Sequence, residues 1–150
     1  MRFLAPLLLI LFSLPSKASD GLTFFTGFDV LRDTQAEAQV LILLFSQPEC
    51  GYCDQVRDGF LLPLQQQQRP ELVIRELKVP GFEDVRNRDN QVMTPRAFAQ
   101  SYAINFYPSV LMLSLDGAPL TEPLVGISSV DFYGYYLDQA IEQALAVQSQ

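Results

Sequence analysis

The chain has 150 residues, 49% of them apolar, with 17 acidic against 10 basic residues, two cysteines and no histidine, for a formal charge of −7 at pH 7. That length suits one domain with one core, and the acidic balance argues against nucleic acid or anionic membranes as partners. Two cysteines without histidine fill only half of a tetrahedral metal shell, so no metal and no other cofactor is expected unless a dimer pools four thiolates or copper(I) is the ion.

Arg2 leads into the apolar stretch Phe3 to Leu14, followed by Ser16-Lys17-Ala18. A short charged start, an apolar middle and small residues at Ser16 and Ala18 predict a secretory signal peptide over residues 1–18. The stretch falls well below the ~20 apolar residues of a spanning helix, and it contains Pro6. The expectation is therefore an exported, soluble domain over residues 19–150 with no stable membrane insertion after cleavage. Losing Arg2 and Lys17 leaves eight basic against 17 acidic residues, a formal charge of −9, which suits solubility outside the cell.

Leu22 to Phe25 forms a short apolar piece, and Asp29 to Ala38 predicts a first helix. Val40 to Phe45 is apolar throughout, which predicts a central strand buried on both faces. Ser46, Gln47 and Pro48 end it, and a helix is predicted from Cys50 to Gln68 with Val56, Phe60, Leu61 and Leu64 at helical spacing. Pro63 inside that helix predicts a kink. Glu71 to Val79 alternates as a strand should. Residues 80–92 mix charge with turn formers and predict a surface loop. Thr94-Pro95 supplies an N-cap and a first-position proline for a helix through Tyr102. Ser109 to Leu115 predicts a second apolar strand, joined by the Asp116-Gly117 turn to Leu120 to Val125. Ser128 or Ser129 caps a last helix, with Phe132, Tyr136, Leu137, Ile141 and Leu145 predicted as its buried stripe.

The chemistry-bearing signal is Cys50-Gly51-Tyr52-Cys53, placed where the first buried strand gives way to a helix. Thiol–disulfide exchange needs a thiolate that attacks and a second thiol close enough to resolve the mixed disulfide. A helix start stabilises the thiolate. Small exported domains stapled by disulfides carry four or more cysteines, and a loop this short restrains little of the unfolded chain, so the pair is expected to be active. Cys50, at the helix edge, is the predicted exposed nucleophile, and Cys53 the shielded resolving thiol. Gly51 leaves room for a partner backbone, and Tyr52 presents an aromatic face. Glu49, a negative charge beside the thiolate, is a candidate modulator of its pKa. An inert structural disulfide in a binding or adaptor protein is the competing reading.

The order strand, helix, strand, helix, antiparallel pair and helix resembles the thioredoxin fold, an α/β architecture with a mixed central sheet flanked by helices. The resemblance runs from Val40 to Leu145 and is carried by Leu44 to Asp54, by Tyr102-Ala103-Ile104-Asn105-Phe106-Tyr107-Pro108-Ser109, and by Asp116-Gly117 with Gly126 beyond. It looks closest to the SoxW-like group of exported thioredoxins. The Cys-Gly-Tyr-Cys tetrapeptide is similar to that of the periplasmic isomerase DsbC, whose dimerisation domain has no counterpart here. The resemblance implies a cis-proline at Pro108 opposite the cysteine pair, with Tyr107 offering its backbone to a bound substrate strand. It implies protein thiols and disulfides as substrates, a periplasmic reductase or isomerase, and an inner-membrane electron donor, with a net oxidase as the alternative. Leu44 stands where many thioredoxins carry a buried carboxylate, which leaves water or Glu49 as proton carrier.

Overall fold

A run of apolar residues needs cover on both sides of a sheet, and Val40–Ser46 (β1) receives it: all seven residues are buried. The computed structural model describes residues 21–150, so the predicted leader over residues 1–18 lies outside the described part. Val40, Ile42 and Leu44 face one cluster, with Val56, Leu61, Leu64, Leu137 and Ile141. Leu41, Leu43 and Phe45 face the other, with Phe28, Leu31, Phe98 and Ala99. The side-chain period of two in a strand thus splits β1 between two helix layers.

The other elements follow in chain order: Phe28–Thr34 (α1), Gly51–Val56 (α2), a π turn at Arg57–Leu61, Leu62–Gln66 (α3), Leu72–Lys78 (β2), Val85–Arg86 (β3), Val92–Met93 (β4), Pro95–Ser101 (α4), Ser109–Leu113 (β5), Leu124–Val125 (β6) and Val130–Gln148 (α5). The main sheet has the order β2-β1-β5-β6. Strand β1 runs parallel to β2, with Leu44 opposite Glu76, and antiparallel to β5, with Phe45 opposite Ser109. A bridge from Phe24 to Glu76 adds the N-terminal piece at the β2 edge. The fold is the α/β, mixed-sheet architecture that the sequence predicts.

Four local expectations change. The first helix stops at Thr34, before the predicted Ala38, because the chain turns at once to deliver Gln39 to the carbonyl of Glu71. The second helix, predicted as one piece from Cys50 to Gln68 with a kink at Pro63, consists of α2, the π turn and α3. The π turn before Pro63, closed by the Leu62 N–H on the Arg57 carbonyl, shifts the bonding register where the proline has no N–H to give. Residues 80–92 are more than a loop: β3 and β4 pair antiparallel, and the Asn87 side chain accepts from the N–H groups of Asp89 and Gln91 at 3.0 and 2.8 Å. In α5 the buried face is Tyr133, Leu137, Ala140, Ile141 and Ala144, while Phe132 and Tyr136, predicted inward, are 62% and 54% exposed. The two alanines let the helix approach the sheet and share its buried face with Tyr133, while Phe132 and Tyr136 lie on the outer face. Of the predicted caps, Thr94 Oγ1 accepts from the Ala97 N–H at 3.2 Å, whereas Ser129 stands at the N-cap of α5 without a side-chain cap hydrogen bond. No helix among the described residues is long and apolar enough to cross a membrane.

Candidate active site

Strand β1 ends at Ser46, and four residues later Cys50 caps α2 with extended backbone angles of φ −109° and ψ 94°. A residue at that position offers its side chain to the free N–H groups of the first turn, and Cys50 Sγ accepts from the Cys53 N–H at 3.2 Å. The two cysteines form a disulfide with an S–S distance of 2.05 Å. Cys53 is completely buried, whereas Cys50 retains 9% of its surface. The predicted order of access therefore holds, but Cys50 is not the openly exposed thiol that the sequence predicts. Its position at the cap tucks the sulfur against the first helical turn and leaves only an edge to solvent.

Gly51 and Tyr52 lie outside. A Cβ added at Gly51 would meet nothing within 4 Å, so no internal contact demands glycine there, and the backbone beside Cys50 is open to an incoming chain. Tyr52 is 67% exposed, bordering a shallow hollow shared with Asp54, Gln55 and Asp58. Glu49 is exposed and holds a left-handed φ of 55°. Across the sheet, the pairing of Phe45 with Ser109 brings the start of β5 to the end of β1 from which the cysteine segment departs. Pro108, directly before β5, is buried, and its peptide bond with Tyr107 is cis. The Pro108 carbonyl accepts from the Gly126 N–H at 2.7 Å. Tyr107 is half-buried against the α1/α4 side of the core, and that burial pushes its phenol upward, with Arg96 pulling the other way. Val79–Pro80 is a second cis peptide.

A polar cluster that the sequence does not predict joins the end of β1, β2 and the π turn that follows α2. Glu76 on β2 is 2% exposed and Ser46 fully buried. Ser46 Oγ donates to Glu76 Oε1 at 2.5 Å. Arg57 grips both oxygens of the same carboxylate, Nε to Oε2 at 2.8 Å and Nη2 to Oε1 at 2.7 Å, and reaches Asp54 through Nη1 at 2.6 Å. The hydrogen bond to Glu76 is the main reason the guanidinium is driven further above its already high range, with burial opposing and Asp54 assisting. Glu76 stands directly opposite Leu44 on the neighbouring strand. A signal was present: Arg75 and Glu76 are adjacent in a strand, so they point to opposite faces, and with both faces covered by helices one charge had to enter each layer. Among the described residues no cluster of potential metal ligands occurs.

Comparison with known proteins gives the same architecture. A mutant thioredoxin from Halobacterium salinarum NRC-1 superposes with a TM-score of 0.51 at 19% identity, covering 83% of this chain and 96% of that one. The oxidised mitochondrial thioredoxin 3 of Saccharomyces cerevisiae gives 0.53 at 17%, covering 81% and 93%. No curated protein matches the sequence. The thioredoxin-like domain family matches residues 28–141, a span that takes in every strand of the main sheet, both cysteines and most of α5. On that match the chain belongs to the thioredoxin-like family, and its cysteine pair supports the general chemistry of thiol–disulfide exchange on proteins.

Proposed function

We propose that this chain is an exported thiol–disulfide oxidoreductase that reduces or isomerises disulfides of proteins in the periplasm. The observation that carries the reading is the asymmetric access of a disulfide at a helix cap, Cys50 at 9% and Cys53 at 0%. In the reduced protein the Cys50 thiolate, accepting the Cys53 N–H as its sulfur does here, attacks a partner disulfide and displaces one partner thiolate. Cys53 gives up its proton and attacks Cys50 Sγ. The second partner sulfur leaves as a thiolate, so the partner has gained two electrons and the two cysteines have lost two in forming the Cys50–Cys53 disulfide. The substrate strand lies along Tyr107-Pro108, beside the open backbone at Gly51 and the face of Tyr52. An electron donor at the inner membrane returns two electrons and restores the dithiol. The apolar leader over residues 1–18 supports export.

The test is trapping. Cys53→Ser, reduced and mixed with a disulfide-bonded substrate protein, is expected to accumulate a mixed disulfide on Cys50, and Cys50→Ser to form none. Rapid single-site alkylation at Cys50 after mild reduction should accompany it. Absence of any trapped adduct, with both thiols inert to alkylation, would instead identify the structural disulfide of a binding protein.

A further inference from the structure

The buried Glu76 carboxylate touches the chain at two places that flank the reactive pair. Ser46 lies four residues before Cys50, and Arg57 lies four residues after Cys53. Both donate to Glu76 Oε1, at 2.5 and 2.7 Å, and Arg57 adds the second bond to Oε2 at 2.8 Å. The Ser46 backbone is fixed to the same neighbourhood, its carbonyl accepting from the Val79 N–H at 2.7 Å. The Arg57 N–H in turn donates to the Cys53 carbonyl. Between these two anchors lie the turn at Gln47, Pro48 and Glu49, the Cys50 cap and α2. The carboxylate oxygens are taken by three donors, which makes Glu76 a fixed anchor rather than a free acid.

We infer that Glu76 is a positioning residue: by gripping Ser46 and Arg57 together it holds the two thiols of the reduced protein at closing distance and so sets how strongly the dithiol closes to the disulfide. The inference rests on the redox reading above. Holding two groups together raises the effective concentration of one toward the other without any new contact between them. Because the clamp is covalently independent of the sulfurs, it persists when the disulfide opens. Its burial excludes the water that would otherwise weaken a carboxylate–guanidinium pair, and the planar two-point grip is one that lysine does not reproduce.

The experiment equilibrates the full chain with mixtures of glutathione and glutathione disulfide. Two glutathione thiols are oxidised to one glutathione disulfide as Cys50–Cys53 takes up two electrons and two protons, and alkylation followed by mass measurement reads the reduced fraction. Glu76→Gln and Arg57→Met are each expected to make the disulfide roughly tenfold easier to reduce, as the coupling of neighbouring residues allows, and the double variant to add little to either. Arg57→Lys, which keeps the charge, should shift the equilibrium in the same direction. Ser46→Ala, the mildest change, should shift it about threefold, and it decides the matter if the charged-pair variants do not fold. An effect of charge alone predicts instead that Glu76→Gln and Arg57→Met move the equilibrium in opposite directions, the one exposing a cation near the thiolate and the other removing it, with Arg57→Lys unchanged. That pattern, or no shift in a folded variant, overturns the inference. Failure of the trapping experiment with the glutathione shifts intact would remove the proposed substrate class and leave the clamp standing.

Discussion

Tyr133 shows what one buried hydroxyl does to this fold. Its ring lies tilted against that of Phe60, centroids 4.8 Å apart, and the residue is 5% exposed, yet its hydroxyl has no hydrogen-bond partner. Burial without a partner is also why the phenol is pushed far above its ordinary range. A buried unsatisfied hydroxyl costs about 1–3 kcal/mol, whereas an apolar replacement of the same shape removes that cost. Tyr133→Phe is therefore expected to stabilise the protein by about 1 kcal/mol, read from urea unfolding as a higher midpoint at an unchanged slope. Legibility at this scale was uneven. The two cysteines announced themselves by type and spacing. Glu76 showed itself only as one of two adjacent charges in a strand, because its partner Arg57 is distant in sequence and the β1–β2 register brings Ser46 alongside.

Among the elements, the turn between β5 and β6 rests on a glycine. Gly117 has φ +80°, and an added Cβ would stand 2.9 Å from two ring atoms of Phe28, a side chain that is itself completely buried. Gly117→Ala combines a disfavoured backbone with overpacking against an aromatic cluster in which Phe25 and Phe28 lie 5.1 Å apart. A loss of roughly 1–3 kcal/mol is expected, measurable as a drop in urea midpoint, and an unchanged midpoint would show that the turn relaxes freely. The Asp116-Gly117 signal was readable since φ > 0 favours glycine. The shortness of β6 was not: three steps along β5, from Val110 to Leu113, are matched by five along the returning chain, from Pro119 to Leu124. The β3–β4 hairpin escaped notice for a related reason. Each strand is two residues long, too short to show a period, and what holds it is the Asn87 side chain and a bridge from Arg86 to Gly27.

For the whole molecule, Tyr102 couples stability to alkaline pH. It packs against Phe98 and donates to the Gly117 carbonyl at 2.8 Å, joining the end of α4 to the β5–β6 turn. Burial raises its phenol from 10.0 to about 12, with Arg88 opposing. The unfolded chain, whose tyrosine has the ordinary value, loses the proton first as pH rises. Tyr102 thus contributes stability in full below pH 10.0, and that contribution is lost as pH climbs to about 12. The expected result is an unfolding free energy that falls across this window, Tyr102 adding less than the ~1.4 kcal/mol per pH unit of one whole proton. Tyr102→Phe should flatten the fall while lowering stability near neutral pH by about 1 kcal/mol for the lost hydrogen bond. Urea unfolding of the disulfide-intact protein from about pH 8 upward checks both, and an equal slope in the variant would assign the fall to other groups.

By itself the sequence determined the central strand, the site of the cysteine pair, the Thr94 cap and the order of the main elements, because those depend on local period, residue type and short-range bonding. Only the tertiary structure decided which face of α5 turns inward, how Pro63 is absorbed, how far Cys50 is covered and that Glu76 stands opposite Leu44 with its charge met by Arg57. Each of these is a choice among locally equivalent arrangements, and it is made by neighbours far away in the chain: helices whose alanines fit the sheet, and strands whose register places one carboxylate between two donors.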